Sequence, residues 1–363
     1  MRVWLAPSRY APHVGGIETV VAQLAQELRS AGDQVLVLTH RHPAHLPEEE
    51  VVDGQRVRRL RFEAPSREVG AAVDFLHNCL RVRRALESLE RPDAIHIHGA
   101  ASQTLHLVRY ARAQDVPLVL TTHGEITGDA NDIYGRSAYI RACFRYACRA
   151  AVAVTAPSQE TLAEAQALAP AATVRSTVVP NGIAPEVWGS AGTAPASQTV
   201  LAWGRLEQQK GFDRLVDCWP TVRAMLPEAQ LLVVGDGSQS TALAARVGPG
   251  VQLLGGLTQT QIAHQARTAQ VAAVPSRIEA FGMSAWEALA AGRMVLHAGI
   301  PVVRRIVGKY GWVTPHDDPV ALGRAVVDIL RSPALTVPRS AVAEYDRAAV
   351  AQAYRTLYAS GSA

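Results

Sequence analysis

A chain of 363 residues has room for two domains at roughly 150 residues each, and each is large enough for its own core. With 48% hydrophobic and 19% charged residues it is composed like a globular protein, which excludes a disordered chain, a membrane-spanning one and a small disulfide-stapled scaffold. The formal charge of +4, from 36 basic and 32 acidic residues, is too small to point to nucleic acid.

In chain order, short apolar runs at residues 3–6, 35–39, 57–62, 94–98, 118–122, 151–155 and 174–179 read as strands. Amphipathic stretches at 17–31, 70–90, 101–114, 136–148 and 158–168 read as the helices between them. Alternation of this kind predicts parallel sheets covered on both faces. The pattern pauses at Val179-Pro180-Asn181-Gly182-Ile183, and the Gly-, Ala- and Ser-rich stretch 189–197 reads as a linker. A second series of strands follows at 200–203, 230–234, 251–254, 271–274 and 294–297, and a final helix is expected at about 340–358. The fold class predicted is α/β, with two doubly wound halves joined by a hinge. Cysteines 79, 143, 148 and 218 show no paired spacing, so reduced thiols in a cytoplasmic protein are expected. The first residues turn polar after six positions, and nowhere do twenty apolar residues run together.

In open α/β sheets, ligands bind beyond the carboxyl ends of strands. Four loops in such positions carry chemistry. Gly15-Gly16 precedes an amphipathic helix, where small residues and free N–H groups suit an anion; a flexible turn is the plainer reading. His123-Gly124 follows the strand at 118–122, as a ligand-facing or a structural imidazole. The segment Gly204–Gly211 contains Arg205 and Lys210, a fork and a point charge suited together to a diphosphate. Lys210 and Lys309 are the only lysines in the chain. The segment Pro275–Gly292 leaves a strand, turns at Gly282 and enters a helix near Ser284, with Glu279 in the loop and Glu287 one turn into the helix. Carboxylates there suit sugar or ribose hydroxyls. His96 and His98 share a strand face but have no third partner at metal-ligand spacing, so no metal site is expected.

Together and in this order, these motifs resemble the retaining glycosyltransferases of the GT-B architecture, in the family 4 group that contains sucrose synthases and phosphatidylinositol mannosyltransferases. The likeness spans nearly the whole chain and rests most on the E-x7-E segment Glu279–Glu287. It implies two facing Rossmann-like domains with a cleft between them. Residues 1–185 would bind the acceptor, with 340–363 packing back on them, and residues 186–339 would bind a nucleotide-sugar donor. Gly15, Gly16 and Gly204 would lie against the donor, and Arg205 and Lys210 would neutralise its diphosphate. Glu279 would sit beside the transferred sugar, the backbone of Phe281, Gly282, Met283 and Ser284 would hold sugar and phosphate, and Glu287 would take the ribose hydroxyls. His123 would hydrogen-bond the sugar and stabilise charge at the anomeric carbon. The acceptor would attack from the leaving-group face, a phosphate oxygen taking its proton, with no cofactor and no metal. One departure stands out: residues 297–305 stand in place of the family's small-residue loop, which carries a Gly-Gly and a following Glu; Glu125 stands two residues after His123, where some relatives carry an acid, and could serve that role.

UDP-sugars are the first donor expected and GDP-mannose the second. Acceptor contacts are expected around residues 8–14 and at Asp129, Asn131, Asp132 and Tyr134, for a carbohydrate, a lipid-linked sugar or a small natural product. Arg56, Arg58, Arg59 and Arg61, with Arg81, Arg83 and Arg84, form a basic cluster. Peripheral contact with anionic lipid is one reading of it, and a face diluted by Glu63, Glu87 and Glu90 is the other. Three rival functions are a glycoside hydrolase, for which the cation loop has no use, a nucleotide-sugar epimerase, and a non-catalytic sugar-nucleotide or lipid-binding module.

Overall fold

The computed structural model describes residues 1–13, 15–65, 71–128, 132–170, 175–189, 195, 197–333, 335 and 337–361. The chain divides into two compact units, one formed by Met1–Gly182 with Arg347–Ala363 and the other by Ile183–Asp346.

Unit 1 is built on an eight-stranded sheet in the order β3-β4-β2-β1-β5-β6-β7-β8. Its strands are β1 (Arg2–Pro7), β2 (Gln34–His40), β3 (Glu49–Val52), β4 (Gln55–Leu60), β5 (Ala94–His98), β6 (Leu118–Thr121), β7 (Ala153–Ala156) and β8 (Ser176–Val178). β3 alone runs antiparallel to its neighbour. The helices are α1 (Gly16–Ser30), α2 (Ala71–Glu87), α3 (Thr104–Ala113), α4 (Glu125–Gly128), α5 (Ile133–Arg136), α6 (Ala138–Ala150) and α7 (Gln159–Leu168). β5, β6 and β7 are buried at every position; β6 and β7 accordingly read as runs of apolar or small residues, whereas β5 buries His96 and His98 between its apolar positions. Two cores result, one on each face of the sheet. Trp4, Leu38, Phe62, Leu86, Ile95 and Phe144 belong to the first. Val3, Leu5, Val21, Leu28 and Val119 form the second with Tyr354 and Tyr358 of the C-terminal helix Arg347–Ser360. That helix is pinned to α1 by Arg347 Nε, 3.2 Å from Glu27 Oε1, and its Arg355 pairs with Asp33 at 2.9 Å.

Unit 2 carries six parallel strands in the order β11-β10-β9-β12-β13-β14. They are β9 (Thr199–Trp203), β10 (Gln230–Val234), β11 (Val251–Leu253), β12 (Val271–Val274), β13 (Met294–His297) and β14 (Gly311–Val313). Around them lie α8 (Pro185–Trp188), α9 (Phe212–Met225), α10 (Ser240–Ala244), α11 (Gln259–Thr268), α12 (Met283–Ala290), α13 (Pro301–Val307) and α14 (Pro319–Arg331). One continuous core includes Trp188, Trp219, Val233, Leu289, Leu296 and Val326.

The structure departs from the sequence reading in several places. β3 and β14 were not foreseen; the first is a half-exposed edge strand and the second only three residues long. The helix expected at 340–358 is a 3-10 segment, Arg339–Tyr345, followed by a separate helix from Arg347. Residues 340–346 lie with unit 2, because the Tyr345 ring packs tilted against Trp286 at 3.5 Å between centroids and its carbonyl accepts from Ile183 N. In the expected linker, residues 190–194 and 196 lie outside the described residues, as does residue 174 of the expected seventh strand.

Candidate functional site

Within unit 2, the loops leaving the neighbouring parallel strands β9 and β12 are fastened together. Lys210 closes a 3-10 turn, Gln208–Lys210, and Gly211 follows at φ +70. A Cβ on Gly211 would lie 2.3 Å from the Pro275 carbonyl oxygen, so only glycine lets the two loops approach this closely. Arg277 completes the clamp. Its guanidinium takes both oxygens of Asp213 at 2.8 and 2.7 Å and donates to Gln208 O, and its N–H donates to Gln209 O. This holds Lys210 Nζ 2.6 Å from Glu279 Oε1, an oxygen that also accepts from Ser276 Oγ at 2.8 Å. The Glu279 side chain is buried and Lys210 partly so. Arg205 is exposed and has no ion pair among the described residues.

The loops after β9 and β10 are equally close. Leu206 N donates to Asp236 O and Gln239 N to Leu206 O. Gly235, at φ +139, admits no Cβ, since one would lie 1.8 Å from Gly204 O.

After Glu279, Phe281 turns its ring inward onto Trp286, so only its backbone remains for a ligand. Gly282, at φ +75, caps α12 without a side-chain hydrogen bond, and no acid occupies the helix's first turn. The N–H groups there, including those of Met283 and Ser284, lie at the positive end of the helix dipole. One turn on, Glu287 accepts from Trp203 Nε1 at 2.7 Å and from Gln259 Nε2 at 3.3 Å. Burial pushes its carboxyl up to about 7, against the pull of those two donors. Each oxygen keeps a lone pair for a further donor. Trp203, Gln259 and the Arg277–Asp213 pair escaped the sequence reading; each partner is distant in the chain, and nothing local marks the pairing.

Within unit 1, Gly15 caps α1 with no side-chain hydrogen bond, and a Cβ on Gly16 would meet nothing within 4 Å. Glu18 occupies that first turn, and its carboxylate lies close enough to Gly15 that a Cβ there would meet Oε2 at 2.4 Å, so an anion would reach these N–H groups only if that side chain moved aside. After β6, His123 is half-buried, with its Nε2 3.1 Å from His98 Nδ1. Burial drives its imidazole down to about 4, so the ring is neutral at physiological pH. Glu125 braces this turn: Oε2 accepts from His123 N at 2.6 Å and from Thr122 Oγ1 at 3.2 Å. Burial raises its carboxyl above the usual range.

The expected acceptor residues fare differently. Asp129 and Asn131 lie outside the described residues, as does Val14 of the 8–14 segment. Asp132 is exposed, and its carboxylate caps α5 by accepting from Gly135 N. Tyr134 is a correction: it is 3% exposed, and its hydroxyl donates to Ala100 O at 3.2 Å and Glu125 Oε1 at 3.4 Å. It belongs to the core packing of unit 1.

The basic cluster is partly neutralised. Arg59 is buried and paired with Glu50, Arg58 with Glu49, and Arg83 with Glu87. Beside α2 lies a cavity of about 570 Å3 lined by Arg41, Arg61, Asn78 and Arg81 among others. α2 also exposes Val73, Leu76 and Leu80, which at this spacing share one helix face. Among the described residues, no His, Cys, Asp and Glu side chains form a group of three able to hold a metal ion, and no helix is long and apolar enough to cross a membrane.

Residues 14–187 match Glycosyltransferase Family 4, and residues 197–332 match Glycosyl transferases group 1. A phosphatidyl-myo-inositol mannosyltransferase from Mycobacterium leprae is 30% identical over 96% of this chain and 95% of its own. A glycogen synthase from Mycobacterium tuberculosis is 27% identical over 99% of this chain and 94% of its own. Among solved structures, sucrose-phosphate synthase from Thermosynechococcus elongatus superposes with a TM-score of 0.78 over 99% of both chains, at 22% identity.

Proposed function

The chain belongs to the family 4, group 1 glycosyltransferases and carries their two-domain Rossmann-like GT-B fold, and from that premise we propose that it is a retaining enzyme moving a sugar from a nucleotide-diphosphate donor to an acceptor hydroxyl. UDP-sugars come first as donors and GDP-mannose second. The acceptor is a carbohydrate, a lipid-linked sugar or a small natural product.

The observation that carries the reading is the Lys210–Glu279 pair, held at 2.6 Å between the loops after β9 and β12, the second of which ends at the start of α12, where no side chain caps the helix. A diphosphate is neutralised there by Lys210, by Arg205 and by the N–H groups at the α12 N-terminus. Positive charge that develops on the sugar is met by the Glu279 carboxylate. Glu287 accepts the ribose hydroxyls. In unit 1, Gly15 and Gly16 present the first turn of α1 to the leaving phosphate, and His123 bonds a sugar hydroxyl. The acceptor oxygen bonds to the anomeric carbon as the bond to the diphosphate breaks, and a phosphate oxygen takes the acceptor's proton. Configuration is retained because attack and departure share one face. The proposal needs no metal, since protein cations and helix N–H groups carry the charge.

The proposal includes a cytoplasmic enzyme in peripheral contact with an anionic membrane. Support comes from α2, where Val73, Leu76 and Leu80 stand exposed beside Arg81 and Arg84. The test of the activity is a screen of nucleotide sugars for nucleotide release, followed by acceptor trials and NMR of the product's anomeric configuration. An inverted product overturns retention. Free sugar without transfer points to a hydrolase, an epimerised donor to an epimerase, and binding without turnover to a non-catalytic module.

A further inference from the structure

His96 and His98 stand two positions apart on β5 and therefore on one face of the sheet. Both are fully buried, and their rings pack 3.9 Å apart between centroids. His96 is satisfied at both nitrogens: Nδ1 lies 2.7 Å from the Tyr358 hydroxyl and Nε2 2.6 Å from Thr121 Oγ1. His98 is not. Its Nδ1 reaches His123 Nε2 at 3.1 Å, while its own Nε2 is buried without a partner among the described residues.

This asymmetry decides where the protons sit. A neutral His98 protonated on Nε2 would bury an N–H donor with nothing to receive it, which folded proteins avoid more strictly than a bare lone pair. Protonated on Nδ1, it donates to His123 Nε2 and leaves only an acceptor unused. His123 must then accept on Nε2, so its own proton is on Nδ1. That edge has no partner among the described residues.

We propose that His98 is a positioning residue, whose Nδ1–H···Nε2 hydrogen bond holds His123 as the Nδ1–H tautomer, so that the ring presents a donor and not a lone pair to the sugar. The role at the sugar rests on the glycosyltransferase reading; the tautomer does not. Burial lowers the affinity of all three imidazoles for protons, in keeping with a neutral column.

The experiment reads the proton directly, by long-range nitrogen–proton correlation spectra of the full chain with labelled histidine, the His123 signals being assigned by comparison with His123→Ala. The wild type is expected to carry the His123 proton on Nδ1. In His98→Leu it moves to Nε2. In His98→Asn, whose amide nitrogen falls where Nδ1 stood, it stays on Nδ1. With a donor that turns over, kcat/KM falls roughly tenfold in His98→Leu, the factor one neutral hydrogen bond carries, and recovers in His98→Asn. A wild-type His123 protonated on Nε2 overturns the proposal even if no variant folds. An unchanged tautomer in His98→Leu overturns it too. Altered tautomer with unaltered turnover removes the catalytic consequence, and a chain without transferase activity leaves the tautomer result standing.

Discussion

Lys210 and Glu279 are 69 residues apart in the chain and 2.6 Å apart in unit 2, joined as a salt bridge that closes the loops after β9 and β12 on each other. One partner is partly exposed and the other buried, so the pair offers its positive end outward. A charge held this way needs no reorganisation when a diphosphate arrives.

Removing either partner should therefore stop transfer more than it harms the fold. Lys210→Ala and Glu279→Gln are each expected to lower kcat by about 10²–10³, in the range of one lost electrostatic contact in a preorganised site. Circular dichroism should stay close to wild type, because the Arg277–Asp213 clamp remains. Wild-type turnover in both variants sinks the assignment.

Glu287 predicts a pH dependence with a definite sign. Its carboxyl titrates near 7 in the fold and near 4.5 unfolded, so the folded protein holds an extra proton between these values. Its contribution to stability is present below about pH 4.5 and is lost as pH rises through 7. In the role proposed for Glu287, ribose hydroxyls would donate to the ionised form, so donor affinity should run the other way. A UDP-sugar, whose diphosphate does not change charge in this range, is expected to bind up to about tenfold tighter at pH 8 than at pH 6. Calorimetry on wild type and Glu287→Gln checks this; a Glu287→Gln profile with the same slope as wild type refutes it.

Gly211 predicts a cost in stability. Alanine there must adopt φ +70 and clear a backbone oxygen 2.3 Å away. Gly211→Ala is expected to destabilise unit 2 by about 1–3 kcal/mol and to weaken nucleotide binding, both visible in thermal melts with and without UDP. Gly16→Ala, where space is open, should leave the melting temperature near wild type.

The apolar face of α2 predicts lipid dependence. Wild type should float with vesicles rich in anionic lipid and not with neutral ones, and replacing Val73, Leu76 and Leu80 by serine should abolish flotation while donor hydrolysis persists. Equal flotation of the triple variant would show that these side chains do not face lipid.

What could be read from sequence follows from how local each signal is. β6 and β12 are legible because burial on both faces demands runs of apolar or small residues. β3 is not: Glu49-Glu50-Val51-Val52 sits at an edge, half-exposed, and its pairing with β4 is its only mark. In the candidate site, the loop positions of Lys210, Glu279 and Gly282 were legible from the glycines around them and from their order after strands. Residues that act through distant partners were hidden. Trp203 meets Glu287 across 84 positions, and nothing local to His98 marks His123, which the loop after β6 brings beside it. Tyr134 misled because a tyrosine in a polar loop reads as exposed, whereas here the hydroxyl turns in to Ala100 and Glu125.

The C-terminal helix carries a consequence for the order in which the molecule is made. Unit 2 is one uninterrupted segment and can close as soon as Asp346 clears the ribosome. Unit 1 cannot, because Tyr354 and Tyr358 complete one of its two cores and belong to residues translated more than 160 positions after β8 ends. Through all that synthesis Val119, Leu28 and their neighbours wait with one side uncovered. The usual sequence, in which the N-terminal domain matures first, is reversed. A nascent chain paused in unit 2 would thus be the species most in need of a chaperone, and a fragment ending at Gly182 would inherit the same bare face for good.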